Sequence, residues 1–296
     1  MQAPNFLAEH AVSVEQYCKH VLEQRRAHVP ERLLDAMLYS LLAGGKRVRP
    51  ALVLTCYQAC GGKDLDIAMP AAASIECMHT YSLIHDDLPC MDNDDLRRGN
   101  PTCHKQFDEE TAVLAADALQ AFSFELLTDL DVDAQIRLAL VKDMAVAAGM
   151  RGMVGGQMMD ILAENQSVSD VLEVERIHVH KTGELLRWSC EAGARLAGAG
   201  AKQFDACSRF GKAVGLLFQI ADDILDATAS SEMLGKSAGK DEVQHKATYV
   251  SVLGVTKARE LAHEMCEIAQ DACAPLQGNA SKQLKDLAVY ILKRGQ

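Results

Sequence analysis

The stretch FDACSRFGKAVGLLFQIADDILD, residues 204–226, places apolar side chains at Phe204, Cys207, Phe210, Val214, Leu217, Ala221 and Leu225. That three-four rhythm is the period of an amphipathic α-helix, and the run is too long for a strand. Its last turns carry Asp222-Asp223-Ile-Leu-Asp226, and Gln219, Asp222 and Asp226 share one stripe at i, i+3 and i+7. A core helix therefore carries three carboxylates with few cations between them. Such repulsion costs roughly a few tenths of a kcal/mol per pair, more where the groups are partly buried. A bound cation is expected to offset it.

Outward from this helix the same rhythm recurs. Val171, Val174, Ile177, Leu185 and Trp188 predict one helix capped by Asp170. Pro70 predicts the first position of another, running through Ile75, Met78 and Ser82 to Asp86, and Thr111 predicts the cap of the next. The 20 glycines and 7 prolines cluster between such segments. No strand-and-hairpin series and no repeat stands out. The reading is one all-α domain over residues 1–296, a single bundle of about ten helices.

Composition excludes several classes. A chain of 296 residues with 49% hydrophobic and 24% charged residues can bury a large core and is not disordered. A formal charge of −11 argues against nucleic acid as a partner, though not against a small anion met by local cations or by carboxylate-held metals. Ten cysteines without a CxxC pair read as reduced, mostly buried thiols of a cytoplasmic protein. His178 and His180 have no cysteine pair at a zinc-like spacing. No signal peptide is visible at the N-terminus, and no apolar run approaches the ~18 residues of a membrane span.

A second acidic cluster, Asp86-Asp87-Leu-Pro-Cys-Met-Asp92 with Asn93, Asp94 and Asp95 behind it, follows the helix that Pro70 opens. Pro89 forbids a regular helix there, so the chain must turn, and the turn can return Asp92 toward Asp86. Hard carboxylate oxygens suit Mg²⁺, which keeps waters and usually binds substrate phosphates too. Cationic runs complete the pattern. Lys46, Arg47 and Arg49 follow Gly44-Gly45, and Arg97-Arg98 follow the first acidic cluster. Lys181-Thr182 lie in the helix after Asp170, where Lys181 falls on the apolar stripe and so is not simply solvated. Lys236 and Lys240 sit in a Gly/Ser-rich loop of phosphate-gripping composition that lacks P-loop spacing. Each run alone reads as a solvated surface. Together they describe two carboxylate–metal poles with several phosphate clamps, suited to two diphosphates.

Over residues 44–249 these motifs resemble the trans-prenyltransferase (isoprenyl diphosphate synthase) family, and within it the short-chain bacterial farnesyl diphosphate synthases. Asp86-Asp87-x-x-x-x-Asp92 is similar to the family's first Asp-rich motif in its long form, and Asp222-Asp223-x-x-Asp226 to its second. The resemblance implies an all-α isoprenoid synthase fold around a deep central cavity, usually in a homodimer. It implies about three Mg²⁺ ions, with Asp86, Asp92 and Asp222 as ligands. Asp87 and Asp226 belong to the motifs as further candidates for direct ligands, behind those three. Lys46, Arg49, His79 and Arg98 match the isopentenyl diphosphate site. Arg97, Lys181, Thr182, Gln219 and Lys236 match the allylic diphosphate site, and Lys181 joins the Asp residues in the catalytic set. Gln157 and Asp160 of a Gly156-Gln157-x-x-Asp160 motif would support the site from behind. The basic tail Lys293-Arg294 resembles a closing tail.

The implied reaction is condensation of isopentenyl diphosphate with dimethylallyl or geranyl diphosphate to give (2E,6E)-farnesyl diphosphate. Tyr81 and Ser82, five and four residues before Asp86, lie about 6–8 Å down the helix at 1.5 Å per residue. A bulky ring there resembles the arrangement that stops growth at C15, whereas a smaller residue permits C20. The alternatives are a geranylgeranyl diphosphate synthase and a non-catalytic regulatory subunit of the same fold. A class I terpene cyclase fits less well, since its second metal motif is of an Asn/Ser/Glu type.

Overall fold

The computed structural model describes residues 3–164, 170–228 and 248–295. Helices dominate it: α1 (Asn5–Glu23), α2 (Glu31–Leu41), α3 (Val48–Ala59), α4 (Met69–Asp86), α5 (Cys103–Gln106), α6 (Glu109–Thr128) and α7 (Ala134–Ala148). Then come α8 (Met153–Ala163), α9 (Val171–His178), a π-helical turn (Val179–Gly183), α10 (Glu184–Leu196) and α11 (Ala201–Thr228). After residue 247 follow α12 (Tyr249–Leu253), α13 (Val255–Ala272) and α14 (Gly278–Arg294). Two compact units emerge from the internal contacts. One holds Asn5–Leu54 and Asp64–Val141; the other holds Met1–Pro4, Thr55–Lys63 and Lys142–Gln296.

In the first unit α4 packs against α6, α1 and α2. Ala71, Ala72, Ala73, Ile75, Cys77 and Met78 are fully buried, and the small alanine and cysteine side chains among them let neighbouring helices approach on several sides. The Ser74 hydroxyl donates to the Ser123 carbonyl of α6 at 2.7 Å. The helix opens at Met69 with Pro70 second, one place later than expected. The expected Thr111 cap is wrong: Asp108 caps α6, its Oδ1 accepting from the Thr111 N–H at 2.6 Å. A carboxylate outperforms a hydroxyl here because it also meets the positive end of the helix dipole. Arg47, 3% exposed, is bound by Glu76, by Glu15 and by the Leu41 carbonyl. One of the three charges in the run from Lys46 to Arg49 is thus a buried structural one.

In the second unit α11 packs against α10, α13 and α14. Its predicted stripe is the buried one: Cys207, Phe210, Val214, Leu217 and Ala221 are at most 1% exposed. The segment after Asp170 is not one helix. Asp170 caps α9 through the Leu172 N–H at 2.9 Å, as expected, but the π turn then widens the spiral before α10. Close backbone packing accompanies it. A Cβ on Gly156 of α8 would lie 2.2 Å from the Lys181 nitrogen, and one on Gly215 of α11 would lie 2.9 Å from the Gly183 Cα. Lys181 therefore owes its place to this turn rather than to the apolar stripe.

All ten cysteines are free, and Cys90 alone is exposed. Among the described residues no helix is long and apolar enough to cross a membrane.

Candidate active site

The first acidic cluster is a tight turn at the end of α4. The Asp92 N–H donates to the Asp86 carbonyl at 2.9 Å, and the Asn93 N–H to the Leu88 carbonyl at 3.1 Å, with Asn93 at φ +49°. The turn that Pro89 forces thus returns Asp92 to Asp86, and both side chains stay half-buried. Asp87 points elsewhere. It is 3% exposed, and the Arg97 Nε donates to both its oxygens at 2.7 and 2.8 Å. Burial raises the Asp87 pKa, with the Arg97 guanidinium opposing, while Asp87 helps to raise that of Arg97 against the guanidinium's own burial. The forked contact favours the ionised form of both groups.

Arg97 belongs to a two-strand ribbon that the sequence did not announce, β1 (Leu96–Arg97) against β2 (Asn100–Pro101). The two residues of its loop, Arg98 (φ +54°) and Gly99 (φ +82°), both have positive φ, as a type I′ hairpin requires. This strained arginine donates through Nη1 to the Gly44 carbonyl. Gly45 lies beneath this guanidinium, a Cβ there falling 2.6 Å from the Arg98 Cζ, and its φ of +122° is one that favours glycine. Lys46 is exposed, and Arg49 in the first turn of α3 is half-buried. His79 on α4 is held well below the ordinary histidine pKa, first by burial and then by the charges of Arg49, Arg98, Arg97 and Arg47. Three of the four residues matched to an isopentenyl diphosphate site, Arg49, His79 and Arg98, therefore share one positive locality.

Tyr81 is 4% exposed, with its ring edge-on to His85 at a centroid distance of 5.8 Å. Among the described residues its hydroxyl makes no hydrogen bond of normal geometry. Ser82 turns its hydroxyl onto the His79 carbonyl at 2.8 Å.

The second unit carries the other candidates. Gln219, Asp222 and Asp226 are half-buried on the expected stripe of α11, whereas Asp223 is buried. Arg294 at the end of α14 donates to the Asp222 Oδ1 at 3.1 Å and lies over the Phe218 ring at 5.3 Å. Lys181 Nζ meets Asp160 Oδ2 at 2.6 Å, and the neighbouring Thr182 is buried. Lys236 and Lys240 lie outside the described residues.

Among the described residues no group of three or more His, Cys, Asp or Glu side chains is placed to hold a metal unaided. Mg²⁺ does not need such a cage. It takes one or two carboxylates and fills its octahedron with water and substrate phosphate oxygens. The Asp86–Asp92 turn, an all-oxygen donor pair gathered by its own backbone, fits that demand.

Comparison with known proteins decides the family. The profile of the Polyprenyl synthetase family matches residues 30–283. The chain belongs to the polyprenyl synthetase family. It is 48% identical over 271 residues to the chloroplastic heterodimeric geranylgeranyl pyrophosphate synthase large subunit 1 of Arabidopsis thaliana, covering 90% of this chain and 73% of that one. It is 45% identical over 273 residues to the farnesyl diphosphate synthase of Geobacillus stearothermophilus, covering 91% of each. The crystal structure of an FPP/GFPP synthase from Zymomonas mobilis superposes with a TM-score of 0.84 at 40% identity, over 97% of this chain and 98% of that one. The helices are therefore those of the isoprenoid synthase fold, and the chain is a prenyltransferase of isoprenoid biosynthesis.

Within this polyprenyl synthetase, sequence reasoning missed the partners that hold the candidates in place. The Asp87–Arg97 fork, the Asp160–Lys181 ion pair and the Arg294–Asp222 contact each join residues 10 or more apart in the chain. Only the motif spacing around Asp160 hinted at any of them.

Proposed function

We propose that this chain condenses isopentenyl diphosphate with dimethylallyl or geranyl diphosphate, with Mg²⁺ as cofactor, and releases (2E,6E)-farnesyl diphosphate. Asp86, Asp92 and Asp222 would hold the metal, about three ions with substrate bound. When bound, Mg²⁺ supplies Lewis-acid stabilisation of the charge on the departing diphosphate. Lys181, steadied by Asp160, and Arg97, steadied by Asp87, bind the allylic diphosphate with Thr182, Gln219 and Lys236. Lys46, Arg49 and Arg98 bind isopentenyl diphosphate as cations, and His79 as a neutral hydrogen-bonding ring. The allylic C–O bond breaks with its electron pair leaving on diphosphate. The isopentenyl double bond forms the new C–C bond, and a proton leaves the joined skeleton for the departed diphosphate. No side chain is assigned as base.

The observation that carries the C15 product is Tyr81, a buried ring on α4 five residues before Asp86. The names of several relatives favour geranylgeranyl diphosphate instead, at 46–48% identity against 45% for two farnesyl synthases. Overall identity does not separate them, and the bulk of the buried Tyr81 ring is what supports the C15 reading. The test is mass spectrometry of the product made from isopentenyl diphosphate, Mg²⁺ and either starter. A dominant C15 diphosphate from both is expected. A dominant C20 diphosphate would overturn the chain-length reading, and no condensation by the purified chain would favour the regulatory-subunit alternative. The chain would act as one domain and as a homodimer. Its ten free thiols suit the cytoplasm.

A further inference from the structure

Asp223 stands between Asp222 and the rest of its motif, yet its carboxylate is turned into the protein at 7% exposure. Its Oδ2 accepts the Tyr249 N–H at 2.7 Å. The same oxygen lies 3.7 Å from His178 Nε2. The His178 ring stacks on the Tyr249 ring at 5.4 Å and 21°. Tyr249 is 1% exposed and His178 8% exposed, so the arrangement is shielded from water. Thr248 and Ser251 close a capping box on the same turn, so the Tyr249 N–H is the donor that Asp223 alone serves among the described residues. Three elements meet here: α9 just before the turn that holds Lys181, α11 at its acidic motif, and α12 at its first residue.

We propose that Asp223 is a positioning residue and not a metal ligand: it ties the start of α12 to the acidic motif of α11, with His178, just before the Lys181 turn, closing over the joint. A carboxylate committed to a buried backbone donor gives up one oxygen and is turned away from the half-buried stripe of Gln219, Asp222 and Asp226. The middle position of the motif thus does different work from the first. The inference rests on Asp222 being the metal-binding carboxylate.

The test compares Asp223→Asn, Asp223→Ala and Asp222→Asn in the full chain. Amide hydrogen exchange over residues 249–253 reports the joint directly. Binding of Mn²⁺ with inorganic pyrophosphate, followed by electron paramagnetic resonance, reports the metal site. Asp223→Ala should speed exchange across 249–253 by about tenfold or more, the factor carried by loss of a hydrogen bond to a charged group. It should weaken Mn²⁺ by no more than about fivefold, the through-space effect of one lost charge on a divalent ion. Its KM for the allylic diphosphate should rise more than its kcat falls. Asp223→Asn keeps an acceptor oxygen and should restore both the exchange protection and the KM. Asp222→Asn should abolish tight Mn²⁺ binding and leave 249–253 protected. The proposal is overturned if Asp223→Asn loses Mn²⁺ as steeply as Asp222→Asn, or if Asp223→Ala leaves exchange unchanged. Retention of Mn²⁺ by Asp222→Asn would instead remove the metal role of Asp222, and exchange over 249–253 would still decide that of Asp223.

Discussion

Asp86 and Tyr81 lie five residues apart on one helix and are expected to answer different questions when changed. Asp86→Ala or Asp222→Ala removes a proposed metal ligand, so kcat should fall by about 10²–10³-fold or more. Circular dichroism should remain native, since both side chains are half-buried. Near-normal turnover in either variant would refute the metal assignment. Tyr81→Ala should extend the product beyond C15, and Tyr81→Phe should leave it unchanged, because the hydroxyl makes no normal hydrogen bond among the described residues. The Ala variant should also lose about 3–5 kcal/mol of stability, the usual cost of emptying a buried aromatic site. Product chromatography with a urea titration separates the two effects. His79 carries a pH signature. Its folded pKa lies below the ordinary 6.5, so the unfolded chain binds the proton more readily and stability falls as pH drops through 6.5. His79→Gln should flatten part of that slope in urea titrations on either side of 6.5. At this scale residue types were readable from the sequence because charge and spacing are local. What holds each one, such as Asp87 on Arg97 or Asp160 on Lys181, depends on chain crossings that spacing does not encode.

At the scale of elements the long helices were legible, and their ends and interruptions were less so. Cys207, Phe210, Val214 and Leu217 declare α11 by period alone, and all are fully buried. Thr111 and Asp108 are both capping types three residues apart, and only the backbone direction decides between them. The π turn at Val179–Gly183 leaves no mark in the apolar rhythm, since Val174, Ile177, Leu185 and Trp188 are buried on both sides of it. Its trace in the sequence is indirect, in glycines placed on other helices. Gly156→Ala tests that link. The new methyl would meet the Lys181 backbone at 2.2 Å, which a neighbouring main chain cannot yield without moving the turn. Overpacking of this kind costs about 1–3 kcal/mol. The expected result is a lower thermal midpoint together with a higher KM for the allylic diphosphate, through displacement of Lys181 and Thr182. A variant with a lower midpoint and an unchanged KM would show that the close approach serves packing alone.

At the scale of the whole molecule, family and product length separate because they are written on different numbers of residues. Membership is spread over residues 30–283, so it survives at 45–48% identity and joins farnesyl and geranylgeranyl synthases alike. In the function proposed above, product length rests on Tyr81 and Ser82 of α4, two side chains that no global measure weights. Assembly is a third property of this scale. Val113 and Leu114 on α6 are 38% and 59% exposed, and Leu138 on α7 is 62% exposed, although both helices bury other residues fully. A single exposed leucine is ordinary on any surface. Apolar residues grouped on the outer face of α6, with Ala121 exposed one turn or more beyond them, fit a face that another copy covers. Sedimentation equilibrium should therefore give about twice the chain mass of 32.2 kDa, as expected for the closed symmetric dimers common among soluble oligomers. Leu114→Asp combined with Leu138→Asp should shift the mass to that of one chain while helix content holds. A wild-type protein that sediments as a single chain would remove the dimer from the functional picture and leave these leucines as plain surface residues.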